Sequence, residues 1–132
     1  MKEIMSPSGL VVAQILDETD LEVKGVNFHS QNQQELQCAS MNYGEGHLIP
    51  RHFHPIQERQ IRTTSEILIL LRGRLEIDLY DENNGHIEST VVEGLSVCTL
   101  IAGGHGFKAL TEISMIEIKQ GPYLEKLDKV HF

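Results

Sequence analysis

The chain has 132 residues, of which 40% are hydrophobic and 23% charged, the proportions of one globular domain able to bury a core. Its formal charge of −8 repels phosphate backbones and anionic headgroups, so neither nucleic acid nor a membrane surface is an expected partner, whereas a cation is. The longest apolar run, Ile67 to Leu71, is too short to cross a bilayer, and MKEIMSPSGL lacks the apolar block of an export signal, so a cytoplasmic location is expected.

Taken in chain order, short apolar or alternating runs predict strands at 10–16 (LVVAQIL), 36–43 (LQCASMNY) and 47–54 (HLIPRHFH). Between the first two, residues 17–34 are polar and irregular and read as a linker. Strands follow at 66–73 (EILILLRG) and 74–81 (RLEIDLYD), the former apolar on both faces and therefore central, the latter alternating with Leu75, Ile77 and Leu79 inward. Asn84-Gly85 signals a tight type I′ turn, which makes 74–93 a β-hairpin. Further strands are expected at 86–93, 95–102 and 113–120. No long helix is predicted, and frequent turn signals between short strands indicate an all-β sandwich or barrel. Cys38 and Cys98, without CxxC spacing, read as reduced small hydrophobes.

His52 and His54 carry the first chemical signal. On a strand, alternate residues share a face about 7 Å apart at the backbone, so both rings could grip one metal ion, or both could be ordinary surface histidines. His29, His47, His86 and His131 have no such partner spacing. Glycines frame the pattern: five residues separate Gly46 from His52, six separate Glu66 from Gly73, and ten separate Gly94 from His105 in the run AGGHGF.

In these spacings the chain resembles the cupin superfamily over roughly residues 36–120. The family's first motif is a glycine, five residues, His-x-His, three or four residues, a glutamate, six residues and a glycine; its second is a glycine, five residues, Pro-x-Gly, two residues and a histidine. The resemblance implies a single all-β cupin domain, a double-stranded β-helix or jelly-roll barrel, spanning 1–132: an N-terminal arm and first strand (1–34), the barrel core (36–120) and a C-terminal tail (121–132). It also implies that His52, His54, Glu66 and His105 ligate a divalent transition metal, with Fe, Mn, Ni, Co and Zn all compatible with three imidazoles and one carboxylate. Two departures stand out. Eleven residues, PIQERQIRTTS, separate His54 from the glutamate, which leaves Glu58 as an alternative ligand, although Glu66 keeps the six-residue step to Gly73. Leu100 and Ala102 stand where the second motif has proline and glycine.

The long insertion is the length of a lid beside a site, and its Arg59 and Arg62 are candidates to bind an anionic part of a substrate or, alternatively, to neutralise nearby acids. Tyr43 and Phe107 are candidate walls of the site, and Glu58, if not a ligand, is a candidate general base. IEIKQGPY (116–123), GRLEIDLYDE and AGGHGF are similar to small cupins of surface-polysaccharide biosynthesis, which suggests a sugar-related small molecule. The expected activity is isomerase, epimerase or lyase chemistry on a keto- or hydroxy-sugar or sugar acid, with an Fe-dependent dioxygenase as variant. The alternative is a non-catalytic small-ligand-binding or accessory domain. A homodimer is expected, because barrels of this kind pair through edge strands or exchanged N-terminal arms.

Overall fold

A computed structural model describes residues 1–124 and 128–132. The strands are β1 (Lys2–Met5), β2 (Val11–Asp17), β3 (Gly25–Phe28), β4 (Ala39–Asn42), β5 (Glu66–Arg72), β6 (Arg74–Tyr80), β7 (His86–Glu93), β8 (Ser96–Leu100), β9 (Gly104–Ala109) and β10 (Ser114–Lys119), with a single-turn helix α1 (Glu18–Leu21). The fold is nearly all β, and every strand pairing is antiparallel. Among the described residues no helix is long and apolar enough to cross a membrane.

Three sheets result: a five-stranded sheet in the order β1-β2-β8-β5-β10, a three-stranded sheet β7-β6-β9, and the ribbon β3-β4. The five- and three-stranded sheets pack face to face. The alternation of β6 sends Leu75, Ile77 and Leu79 inward, where they meet Leu68 and Leu70 of β5, Val12 of β2 and Cys98 of β8 in one core cluster. That core is filled: the free space bounded by Leu70, Ile77, Cys98 and Met115 is about 10 Å³, room for one water at most.

Strand β5 is covered on both faces, as its uninterrupted apolar run predicts. Leu68 and Leu70 enter the main core; Ile67 and Ile69 turn the other way and pack with Leu16, Val97, Leu21, Leu36 and Cys38. The second cover comes from residues 18–38, of which the sequence predicts an irregular linker up to residue 34 and the start of a strand at 36. The stretch instead holds α1 and β3. Asp17 caps the helix, its carboxylate accepting from Thr19 N (2.9 Å) and Asp20 N (3.2 Å), while Asp20 accepts from Asp17 N (3.2 Å). Those hydrogen bonds, that of the Thr19 hydroxyl foremost, hold the Asp17 carboxyl below its ordinary range. At the N-terminus, β1 is paired with β2 in register Lys2↔Ile15 to Met5↔Val11.

Two further expectations are corrected. The 74–93 hairpin forms, but its loop is longer than a two-residue type I′ turn. Asn84 alone takes a positive φ of 66°, Asp81 N donates to Gly85 O (2.8 Å), and the Asp81 carboxylate accepts from Asn83 N and Gly85 N. Asp81 thus ties the loop from one side, and a shift in pairing at Leu79/Tyr80 absorbs the extra length. The predicted strand at 47–54 is absent; the chain from residue 43 to 64 forms no helix or strand and is exposed throughout. Its two prolines, Pro50 and Pro55, lack the N–H a ladder needs, and among the described residues no strand pairs with it. The predicted strand at 36–43 shortens to β4. Of the predicted tail, residues 125–127 lie outside the described residues; Phe132 packs edge-on against Tyr80, with ring centroids 5.1 Å apart.

Candidate functional site between the two sheets

Two of the four expected ligands converge. Glu66 opens β5 and shares the inward parity of Leu68 and Leu70. His105 lies on β9 opposite Leu79 of β6, so it also faces inward, from the other sheet. Their side chains meet across the gap, His105 Nε2 standing 3.2 Å from Glu66 Oε2. Hydrogen bonding to His105 is the main reason the Glu66 carboxyl is held below the usual glutamate range; partial burial opposes this, and the charges of His105 and Lys119 add to the lowering.

Lys119, which sequence reading did not single out, completes this end of the sandwich. It lies opposite Glu66 in the β10–β5 register, its Nζ 3.9 Å from Glu66 Oε1, 3.5 Å from Glu117 Oε1 and 2.5 Å from Asp128 Oδ2. The hydrogen bond to Asp128 is the largest reason its pKa is raised. The Tyr123 ring lies under the same ammonium, 5.1 Å from its centroid. The signal available in the sequence was alternation: Met115, Glu117 and Lys119 fall on one face of 113–120, and pairing that strand with 66–73 sets Lys119 beside Glu66.

The Phe107 ring stands beside that of His105, with centroids 5.1 Å apart. Both it and Met115 remain partly open to solvent, on the side between β9 and β10, because each of these strands is paired along one edge only among the described residues. Among the described residues the site therefore opens to solvent as a mouth on this side.

His52 and His54 lie elsewhere, on the exposed stretch 43–64. Their rings stand edge to face with centroids 5.3 Å apart. His52 Nδ1 is 3.0 Å from the Pro50 carbonyl oxygen. A carbonyl only accepts, so Nδ1 is the donor in this contact, which leaves Nε2 as the ring nitrogen turned to a metal or another partner. Among the described residues, no group of three or more His, Cys, Asp and Glu side chains is close enough to hold a metal ion. The donor chemistry suits a borderline divalent ion; the placement within one chain does not, since half the set faces the mouth and half lies on the exposed stretch.

The remaining candidates lie around this region. Glu58 and Arg59 are exposed within the same stretch, and Tyr43 stacks on His47, with centroids 4.0 Å apart and rings nearly parallel. The end of the stretch is pinned: the Glu35 carboxylate accepts from the backbone N–H groups of Arg62 (3.0 Å) and Thr63 (3.0 Å) and from the Thr63 hydroxyl (2.8 Å). Those bonds lower the Glu35 pKa. Arg62 and Thr63 face Gln120 and Asp128 across an open cleft of about 290 Å³ beside Lys119. Ser65 N donates to Gln120 Oε1 at 2.9 Å, and among the described residues the buried Gln120 Nε2 has no acceptor. No protein-family model, curated protein or solved structure matches the chain.

Proposed function

We propose that this is a cupin-like jelly-roll domain that binds a divalent transition metal and acts on a small polar, sugar-related molecule. The observation that carries the reading is the meeting of Glu66 and His105, two residues singled out as ligands from separate sheets, at 3.2 Å in a half-open mouth. The packing of two antiparallel sheets around one apolar core is what a jelly roll needs. The cleft beside the mouth supports a polar ligand. Arg62 supplies a planar donor for a carboxylate or phosphate, Gln120 Nε2 an N–H group without an acceptor among the described residues, and Ile61, Pro122 and Leu124 an apolar wall. Isomerase, epimerase, lyase or dioxygenase chemistry remains the enzymatic class proposed; because the four ligands do not surround one point within a single chain, no reaction step is routed through a metal.

A second reading has its own observation. Lys119 already sets a positive charge 3.9 Å from Glu66, which suits a metal-free pocket binding a small molecule without turnover, as a ligand-binding or accessory domain.

Metal analysis of the purified protein separates the two. The first reading expects about one divalent transition ion per chain, lost in Glu66→Ala, in His105→Ala and in a His52→Ala/His54→Ala double variant. Content at background in the wild type after reconstitution, or content unchanged by all the substitutions, overturns it. Chelator-insensitive binding of a sugar acid such as glucuronate, weakened by Arg62→Ala, would establish the second.

A further inference from the structure

Four peptide steps separate Asp128 from Phe132, and each end of that segment is fixed on a different sheet. Asp128 Oδ2 stands 2.5 Å from Lys119 Nζ on β10, the last strand of the five-stranded sheet. The Phe132 ring lies against Tyr80 of β6, in space that Gly104 of β9 leaves open: a Cβ at Gly104 would come within 2.6 Å of Phe132 Cζ. Four extended steps reach about 14 Å and packed sheets lie about 10 Å apart, so residues 128–132 cross directly from one sheet to the other. They cross at the end of the sandwich where Glu66 meets His105, because Lys119 is the register partner of Glu66 and Gly104 precedes His105.

Asp128 is also a wall of the cleft bounded by Arg62, Thr63 and Gln120, and its side chain is only 9% exposed. Its carboxylate stands between that cleft and the Lys119 ammonium. A carboxylate entering beside Arg62 therefore meets, on Lys119, a place already filled by the same functional group. Lys119 has three carboxylates within 3.9 Å, those of Asp128, Glu117 and Glu66. Exchanging the Asp128 carboxylate for a ligand carboxylate leaves that balance unchanged, whereas a phosphate dianion adds a further negative charge beside Glu66 and Glu117. Lys129, whose charge helps hold the Glu66 carboxyl low, leaves with the segment, so a dianion finds still less compensation.

We infer that residues 128–132 are an autoinhibitory strap, in which Asp128 stands in for the carboxylate of a ligand and is displaced when a carboxylate-bearing sugar takes its place on Lys119. The inference rests on the reading of the cleft as a small-ligand site and narrows its ligand to monoanionic carboxylates over phosphates. Binding and opening are then one event. The ligand gains the Lys119 ammonium only in the state in which the strap is off, and so shifts the population toward that state. Phe132 sets how often the strap is off, since its ring is the attachment to the second sheet.

Calorimetric titration with glucuronate and with glucose 6-phosphate, at about pH 8 where a phosphate monoester is a dianion, tests this on the wild type, Asp128→Asn and Gly104→Ala. Circular dichroism checks each fold. Gly104→Ala pushes the Phe132 ring off its seat without altering any wall of the cleft. With the strap off in roughly a tenth of wild-type molecules, both substitutions should tighten glucuronate binding about tenfold. Adding Lys119→Met to Asp128→Asn should abolish that gain. In the wild type, saturating glucuronate should speed deuterium uptake by residues 128–132. Wild-type affinity in both variants overturns the strap while the cleft reading stands, as does a 128–132 segment that bound glucuronate leaves protected. Weaker binding in Asp128→Asn also overturns it, since Asp128 is then a ligand contact and not a competitor. A gain for glucose 6-phosphate as large as that for glucuronate overturns the carboxylate preference. No glucuronate binding by the wild type or either variant overturns the cleft reading and the inference together.

Discussion

Individual residues of the candidate site were legible to different degrees. Gly73 and Gly94, singled out only by spacing, meet at one corner, where Gly94 N donates to Gly73 O at 3.1 Å. The six-residue gap to Gly73 favours Glu66 over Glu58, and the Glu66 carboxylate stands 3.2 Å from His105, while Glu58 is exposed. Lys119 and Asp128 escaped notice because a lysine and an aspartate distant in sequence announce nothing until strand pairing aligns them. The cysteines were read as inert hydrophobes, and burial supports this chemically: it pushes the Cys98 thiol up to about 12 and raises that of Cys38. Cys98 should therefore stay silent to a thiol reagent at pH 8 until the protein unfolds, with Cys38 reacting slowly and first. The unfolded chain releases the Cys98 proton near pH 9 while the folded chain keeps it, so this residue's contribution to stability falls as pH rises from about 9 towards 12. Cys98→Ala should remove that part of the alkaline slope in denaturant titrations; an identical slope would show that Cys98 is not buried as described.

Elements follow a similar division. Strands whose side chains meet the core on a regular period, β2, β5, β6, β7, β8 and β10, were readable from alternation or from apolar runs, with boundaries off by a residue or two. The short elements β1, β3 and α1 were not, because four residues hold too little periodic signal, and the pairing of β1 with β2 or the Asp17 cap decides their conformation. The 47–54 stretch failed in the opposite sense. Its residues suit a strand, but a strand exists only with a neighbour, and within one chain it has none. The corner between β5 and β6 gives an element-scale prediction. Gly73 sits at φ 93°, and a Cβ there would collide with the Glu112 carbonyl, whereas Gly46, at φ 78°, has open space around it. Gly73→Ala should cost about 3 kcal/mol or more, from strain and displacement of the 111–113 backbone together, and Gly46→Ala only about 1 kcal/mol of strain. Urea denaturation measures both, and equal losses would show that the corner is not packed as tightly as described.

At the scale of the molecule, the all-β class was legible because alternation records which face of a sheet meets apolar neighbours. How many faces are covered was legible only in part: the apolar run of β5 demands two covers, but nothing in the polar sequence 17–34 announces the second. That double cover has a dynamic consequence. Ile67 and Ile69 belong to one cluster and Leu68 and Leu70 to the other, so neither cluster can open without uncovering one face of the same four-residue run. Amide deuteration followed by mass spectrometry should find the 67–70 peptide among the last to take up label, exchanging only through global unfolding, while the ribbon β3-β4 exchanges early. The two clusters would then melt as one unit, riveted through a single strand.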